Sequence, residues 1–400
     1  MDHARRAGSG PPPQWRVPFV FPDLPPFADV ESAFRGIVES GALTKGKHLR
    51  ALEVEVSGLI GGVEIVGVSS CSVGLALGLR ALLAMQAESG VAGDRNEVIV
   101  PSFTFLAAPA AIVWAGLVPV FVEVDPHSWT VSPADVEAAI GPRTAAILAC
   151  HTFGCPCDMP ALESVADRAG IPLMVDAAHG LGSTLAGRQV GSEGFAQVFS
   201  MSPTKLVVAG EGGLVATRSR AFAEAIRELR EYGNDGHYGC ALPGLNGRLP
   251  ELSAALGRAS LARLPEVKQR RAAVAEVYRR ALGPAEGIGF QRIPAGAETS
   301  WKEFSITVDP ERCGVDRDAV RRGLADRGID TRAYYSPACH EMAAYGGYPS
   351  ASRPLPVSRR LAATSLSLPM GGHITPDVAH SIATDILAIV EDARSGATIP

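Results

Sequence analysis

Val198-Phe-Ser-Met-Ser-Pro-Thr-Lys-Leu-Val-Val-Ala-Gly-Glu-Gly-Gly213 is the stretch whose reading decides the rest of the chain. It carries one lysine, Lys205, among apolar and small residues. Val198 and Phe199 read as the end of a buried strand, and Gly210, Gly212 and Gly213 give the backbone beyond Lys205 its freedom. Burying an ammonium without a partner is costly. A desolvated lysine gives up its proton more readily, which suits it to Schiff-base formation with a carbonyl. Taken alone, the stretch fits a surface lysine in a Gly-rich loop equally well.

A second stretch lies upstream. Ile171-Pro-Leu-Met-Val-Asp-Ala-Ala-His-Gly180 is a short apolar run ending in Asp176, as a buried strand would. In open α/β sheets, ligands bind beyond the carboxyl ends of the strands. Asp176 therefore falls where a site belongs, twenty-nine residues before Lys205. An aspartate to pair with a protonated pyridine nitrogen, and a lysine to hold an aldehyde carbon, are what pyridoxal 5'-phosphate (PLP) requires of a protein.

Further pieces follow in a fixed order: Val98-Ile-Val-Pro-Ser-Phe-Thr-Phe105, Pro119-Val-Phe-Val-Glu-Val-Asp125, Asp176-Ala-Ala-His179, Phe199-Ser200 with Lys205, Gly210-Glu-Gly-Gly213, and Asn246-Gly-Arg-Leu-Pro-Glu251 with Ala254-Ala-Leu-Gly257. Together they span most of residues 20–345, and the ordered set resembles the DegT/DnrJ/StrS family of sugar aminotransferases. The resemblance implies an α/β protein of the PLP-dependent transferase fold type I. That fold has a mostly parallel central sheet with helices on both faces and a smaller α+β C-terminal domain.

The resemblance also implies roles. Lys205 would hold PLP covalently and then, released by an amino donor, move a proton as acid and base. Asp176 would keep the pyridine nitrogen protonated. His179 would lie near the ring hydroxyl, and Phe105 against the face of the ring. Ser72 and Ser200 would bind the phosphate, with Cys71 standing where the family usually has glycine. Asn246 would reach the cofactor phosphate of a second subunit, making a homodimer with shared sites. Arg332, Tyr334, Tyr335 and His340 would line the substrate side. The donor would be glutamate or glutamine and the acceptor a nucleotide-linked keto sugar. A keto-cyclitol aminotransferase or an aminoshikimate-type synthase fits the same motifs. A ligand-binding regulator without catalysis is the alternative from another class, and the intact Asp176 and Lys205 speak against it. Read without the resemblance, Ser69–Gly74 fits a helix N-cap, Phe105 a core aromatic, Asn246 a turn residue and Arg332 a structural ion-pair partner.

Composition sets the outer bounds. Four hundred residues, 46% apolar and 20% charged, suit a soluble globular protein of two domains. A net charge of −5 carries no footprint for nucleic acid or an anionic membrane. Seven cysteines form no dense disulfide pattern, and Cys155-Pro-Cys157 is too tight for a redox or zinc pair. The uncharged run Val98–Val122 is broken by Pro101, Pro109, Gly116 and Pro119, so it reads as strand, helix and strand rather than a membrane span. Residues 1–16, rich in Pro and Gly, are expected to be a disordered arm without the apolar core of a signal peptide, which points to the cytoplasm.

Alternating strand and helix patterns from residue 63 to 176 predict a largely parallel sheet in a large domain over 17–264. They include a helix from Leu75 to Ala87 after the small-residue turn. A small domain is expected over 265–400, with the N-terminal segment packed on it. It would contain strands at Phe304–Val308 and Ile329–Tyr335. The Gly-rich segment Gly233–Gly247 has no helical period and reads as a functional loop.

Overall fold

The computed structural model describes residues 15–90 and 94–395. Most of the arm expected over 1–16 lies outside the described residues. Arg16 is tied down: its Nε donates to the Arg327 carbonyl at 3.2 Å, and its guanidinium lies 3.7 Å from Asp385.

Two helices come first, α1 (Phe27–Ser40) and α2 (Lys47–Ile60). Strands and helices then alternate as β1 (Glu64–Val68), α3 (Cys71–Glu88), β2 (Glu97–Pro101), α4 (Ala107–Trp114), β3 (Val118–Val122), α5 (Pro133–Ala139), β4 (Thr144–Cys150), α6 (Met159–Ala169) and β5 (Leu173–Asp176). A short hairpin, β6 (Thr184–Leu185) with β7 (Arg188–Gln189), precedes β8 (Ala196–Ser200) and β9 (Gly213–Thr217). The seven longer strands make one sheet in the order β1-β9-β8-β5-β4-β2-β3. Strands β8, β5, β4, β2 and β3 are parallel, and β9 is antiparallel to both of its neighbours. The expected mostly parallel sheet is borne out.

The strands are apolar throughout because both faces are covered. Ile147 and Ala149 of β4 point into a core shared with Leu52 of α2 and Leu162 of α6. Ala146 and Leu148, one residue out of phase, point into the opposite core with Leu79 of α3 and Ile112 of α4. Each fully buried leucine or isoleucine side chain among these contributes about 1.5–3 kcal/mol. Helix α3 is, among the described residues, the one helix long and apolar enough to cross a membrane, and it packs against this second face.

Helix α7 (Arg220–Leu229) packs Phe222 and Ile226 into the second core, α8 (Glu251–Ala262) adds Ala254 to the first, and α9 (Leu264–Leu282) follows α8. The remainder comprises β10 (Ile288–Phe290), β11 (Ala297–Glu298), β12 (Phe304–Val308), α10 (Pro310–Cys313), α11 (Arg317–Asp326), α12 (Pro356–Thr364), β13 (Ser365–Leu368) and α13 (Pro376–Ser395). Strands β10, β12 and β13 form an antiparallel sheet with its own core, in which Val274 and Tyr278 of α9, Leu324 of α11 and Ile386 of α13 meet. The strand expected over Ile329–Tyr335 does not form. Ile329 bridges Val17 and Arg332 bridges Ser367, and then Ser336 N–H turns back to the Ala333 carbonyl. Isolated bridges on two different neighbours do not make a ladder, so the segment delivers Tyr334 and Tyr335 as a bend.

Glu251 shows how the motif-bearing segments lock together. Its buried carboxylate accepts from the backbone N–H groups of Gly46 at 3.0 Å, His48 at 2.8 Å and Leu49 at 2.9 Å, capping α2 from the start of α8. These are orphan donors that Gly46, lacking a side chain, cannot satisfy itself.

Candidate active site

The carboxyl ends of β5 and β8 and the start of α3 converge on a cavity of about 320 Å³. Asp176 ends β5, Ser200 ends β8, and Lys205 lies in the turn that follows. The N-terminus of α3 reaches this point because Gly213 of β9 has no side chain. A Cβ there would lie 2.6 Å from the Cys71 amide nitrogen and 2.6 Å from the Ser70 carbonyl carbon. Ser70 caps the helix, accepting from Val73 N–H at 3.2 Å. Helix α3 therefore starts at Cys71 rather than Leu75, and Cys71 and Ser72 form its first turn.

Nine of the twelve residues expected at the site line this one cavity: Cys71, Ser72, Phe105, Asp176, His179, Ser200, Lys205, Tyr334 and Tyr335. Three do not. His340 is buried outside it, its Nδ1 2.5 Å from Ser102 Oγ. Arg332 forms an ion pair with Asp330 and stacks over Phe19 at 5.3 Å, and Phe19 in turn meets Tyr334 edge-on. Asn246 is exposed, paired through its backbone with Glu231, next to Gly247, whose carbonyl accepts from Ser69 N–H at 2.8 Å.

Asp176 is 3% exposed. Burial pushes its carboxyl above the usual value; the Ala178 amide, 3.0 Å from Oδ1, and the Lys205 ammonium oppose this. Both protein donors to the carboxylate, Ala178 N–H and the Cys71 thiol at 3.8 Å, go to Oδ1. Among the described residues no donor reaches Oδ2, although Asp176 lines the cavity. Lys205 keeps some surface toward that space, and protein crowds it elsewhere. Burial first, and the Lys302 ammonium second, lower its amine from 10.5 to about 8. His179 is held neutral, well below its ordinary value, by burial and by the Lys205 and Lys302 charges. Its ring lies nearly parallel to that of Phe153, at 13° and 6.4 Å.

Sequence reasoning missed Lys302 and Glu303, a buried ion pair on the cavity wall just before β12. It also missed Ser202, Thr204 and Glu211, which line the cavity from the Lys205 segment. The signal available was the Trp301-Lys-Glu303 run: two charges directly ahead of an apolar strand. The hydroxyls of Ser72, Ser200, Ser202 and Thr204 gather near the α3 N-terminus, where backbone N–H groups and the helix dipole favour an anion.

The model of the DegT/DnrJ/EryC1/StrS aminotransferase family matches residues 28–387. The chain belongs to that family. It is accordingly an aminotransferase, and the resemblance read from the motifs holds. Among relatives, it is 39% identical over 361 residues to the erythromycin biosynthesis sensory transduction protein EryC1 of Saccharopolyspora erythraea, covering 89% of this chain and 94% of that one. It is 37% identical over 348 residues to dTDP-3-amino-3,4,6-trideoxy-alpha-D-glucose transaminase of Streptomyces venezuelae, covering 87% and 88%. Among solved structures, DesI in the presence of its TDP-sugar product superposes with a TM-score of 0.86 at 36% identity, covering 96% of this chain and 95% of that one. Members of this aminotransferase family depend on PLP, and the cavity suits it. An unpartnered carboxylate oxygen, a readily deprotonated lysine and a hydroxyl-lined helix N-terminus face one space.

Proposed function

We propose that this protein moves an amino group from glutamate or glutamine to the keto carbon of a nucleotide-linked deoxy sugar, as a step in amino-sugar biosynthesis. The observation that carries the chemistry is that Lys205 and Asp176, whose Oδ2 has no donor among the described residues, line one cavity at the strand ends. The nucleotide sugar is supported by relatives whose names carry a dTDP-linked sugar and a TDP-sugar product.

PLP, when bound, supplies an aldehyde for the amine and a ring that takes up the electrons released at the amino-acid carbon. The protein's part follows from its residues. Asp176 would hold a proton at the pyridine nitrogen, and its burial would keep water from competing there. Ser72, Ser200, Ser202 and Thr204 would hold the phosphate. Phe105 and His179 border the ring. An amine near 8 is about one-quarter neutral at about pH 7.5, against about one part in a thousand at 10.5. Lys205 can thus accept a proton from the donor's carbon and return it to the other reacting carbon. Tyr334 and Tyr335 shape the side from which substrate enters, and Arg332 lies beyond them.

The assembly we propose is a homodimer with shared sites. Asn246 is exposed in its own chain and lies outside its own cavity, so it is free to face a neighbour's phosphate. The deciding experiment is a panel of nucleotide keto sugars and keto-cyclitols, with glutamate or glutamine as donor, read by mass spectrometry. Amination of a nucleotide sugar supports the reading. Amination of a cyclitol alone replaces the substrate, and no amination of any acceptor overturns it.

A further inference from the structure

Cys71 stands where the resemblance has glycine at the phosphate turn, yet its side chain does not face that way. The thiol points inward, 3.8 Å from Asp176 Oδ1 and 3.4 Å from the Val198 carbonyl oxygen. Cys71 is 8% exposed and lines the cavity. We infer that Cys71 is a positioning residue, whose thiol braces the Oδ1 edge of Asp176 so that Oδ2 faces the cavity. This rests on the reading that Asp176 meets a pyridine nitrogen there.

The mount is rigid. Two glycines press the first turn of α3 against the sheet. A Cβ on Gly213 would meet the Cys71 amide at 2.6 Å, and one on Gly74 would meet Val198 Cγ1 at 2.8 Å. The Cys71 side chain, held between β5 and β8, shares its single S–H between the Val198 carbonyl at 3.4 Å and Asp176 Oδ1 at 3.8 Å. Asp176 in turn has the Ala178 amide and the shared Cys71 thiol on Oδ1 and, among the described residues, no donor on Oδ2. Two donors at Oδ1 define the carboxylate's rotation more tightly than the Ala178 amide alone. A thiol is a weak donor, so it orients the group without neutralising the carboxylate's pull on a proton at Oδ2. With glycine at position 71, a gap would open beside Oδ1, and the carboxylate could turn or take up water.

The test uses two measurements. The first needs no cofactor. The S–H stretching band of Cys71 is isolated by infrared difference against Cys71→Ala, then recorded again in Asp176→Ala. A shift of the band when the carboxylate is removed is expected, and an unchanged band overturns the contact. The second is a double-mutant cycle on the equilibrium binding of PLP. Cys71→Ala should weaken binding about threefold to tenfold in the wild-type background and hardly at all in Asp176→Ala. An equal loss in both backgrounds means that Cys71 merely fills space, and no loss means that it does nothing. If Asp176→Ala binds too weakly to measure, the infrared band decides. If the wild-type protein itself takes up no PLP, the functional reading fails, while the infrared result still reports the thiol–carboxylate contact.

Discussion

Lys205→Met should make the cofactor-free protein more stable at neutral pH, by an amount that disappears in alkali. The amine falls from 10.5 to about 8 on folding, chiefly through burial. At about 1.4 kcal/mol per pH unit, that fall corresponds to about 3.5 kcal/mol, and the surface Lys205 keeps toward the cavity reduces it to about 2–3 kcal/mol. The sign follows from proton counts. Between about 8 and 10.5 the unfolded chain holds a proton on Lys205 that the folded chain has lost. Wild-type stability therefore rises with pH through that window. Below about 8 both states are protonated and the full burden of burying the charge is present. The assay is urea denaturation of PLP-free wild type and Lys205→Met from pH 7 to pH 11. The apolar packing of the methionine side chain adds a constant, so the diagnostic quantity is the change in the gap with pH. The variant should lead by its largest margin near pH 7, with the margin shrinking above about pH 8. A margin that stays flat across the range would show that Lys205 is not desolvated, and the reasoning about its proton chemistry would fall with it.

Asp176→Asn should cut transamination by several orders of magnitude while leaving the fold intact, as checked by turnover and circular dichroism, because it removes the buried charge that holds the ring proton. Gly213→Ala should weaken PLP binding, since its Cβ would press on the Cys71 amide and move the start of α3; equilibrium titration with PLP measures this. Glu251→Gln should lower stability by about 2–3 kcal/mol in chemical denaturation, because one of its three amide bonds would meet a donor instead of an acceptor. Mixing Lys205→Ala subunits with subunits carrying Asn246→Trp should restore one working site per heterodimer, and failure after exchange is confirmed by native mass spectrometry would exclude shared sites.

Much of the fold was legible because the chain's local preferences and its burial agree. Runs such as Val98-Ile-Val100 and Leu173-Met-Val175 are apolar at successive positions, and the sheet buries both their faces. The failures lie where a local pattern was right but its partners were not. Ile329–Tyr335 has strand-like residues, but Arg332 exchanges backbone bonds with Ser367 and the chain then turns. Ser69–Gly74 has the small residues of a turn, but the Ser70 cap draws Cys71 and Ser72 into helix α3. The Ser367 partner is not visible from the first segment, whereas the Ser70 cap lies inside the second.

The site divides along the same line. Asp176 and Lys205 could be read because one ends a strand and the other lies in the turn after one, where an acid or a lysine among apolar neighbours is conspicuous. Lys302 and Glu303 stand out only by preceding an apolar strand, and adjacent opposite charges normally indicate solvated surface. Their burial comes from distant parts of the chain. Arg271 of α9 donates to the Trp301 and Lys302 carbonyls at 3.1 Å each, and Phe19 and Phe21 border the same pair from the N-terminal segment. The consequence is electrostatic. Glu303 pairs directly with the Lys302 ammonium, yet that ammonium still bears on Lys205 and His179. The cavity thus contains one acid–base pair closed on itself and a second, Asp176 with Lys205, whose carboxylate leaves Oδ2 open. A ligand that supplies a ring proton to Asp176 and a carbonyl to Lys205 completes the second pair without disturbing the first.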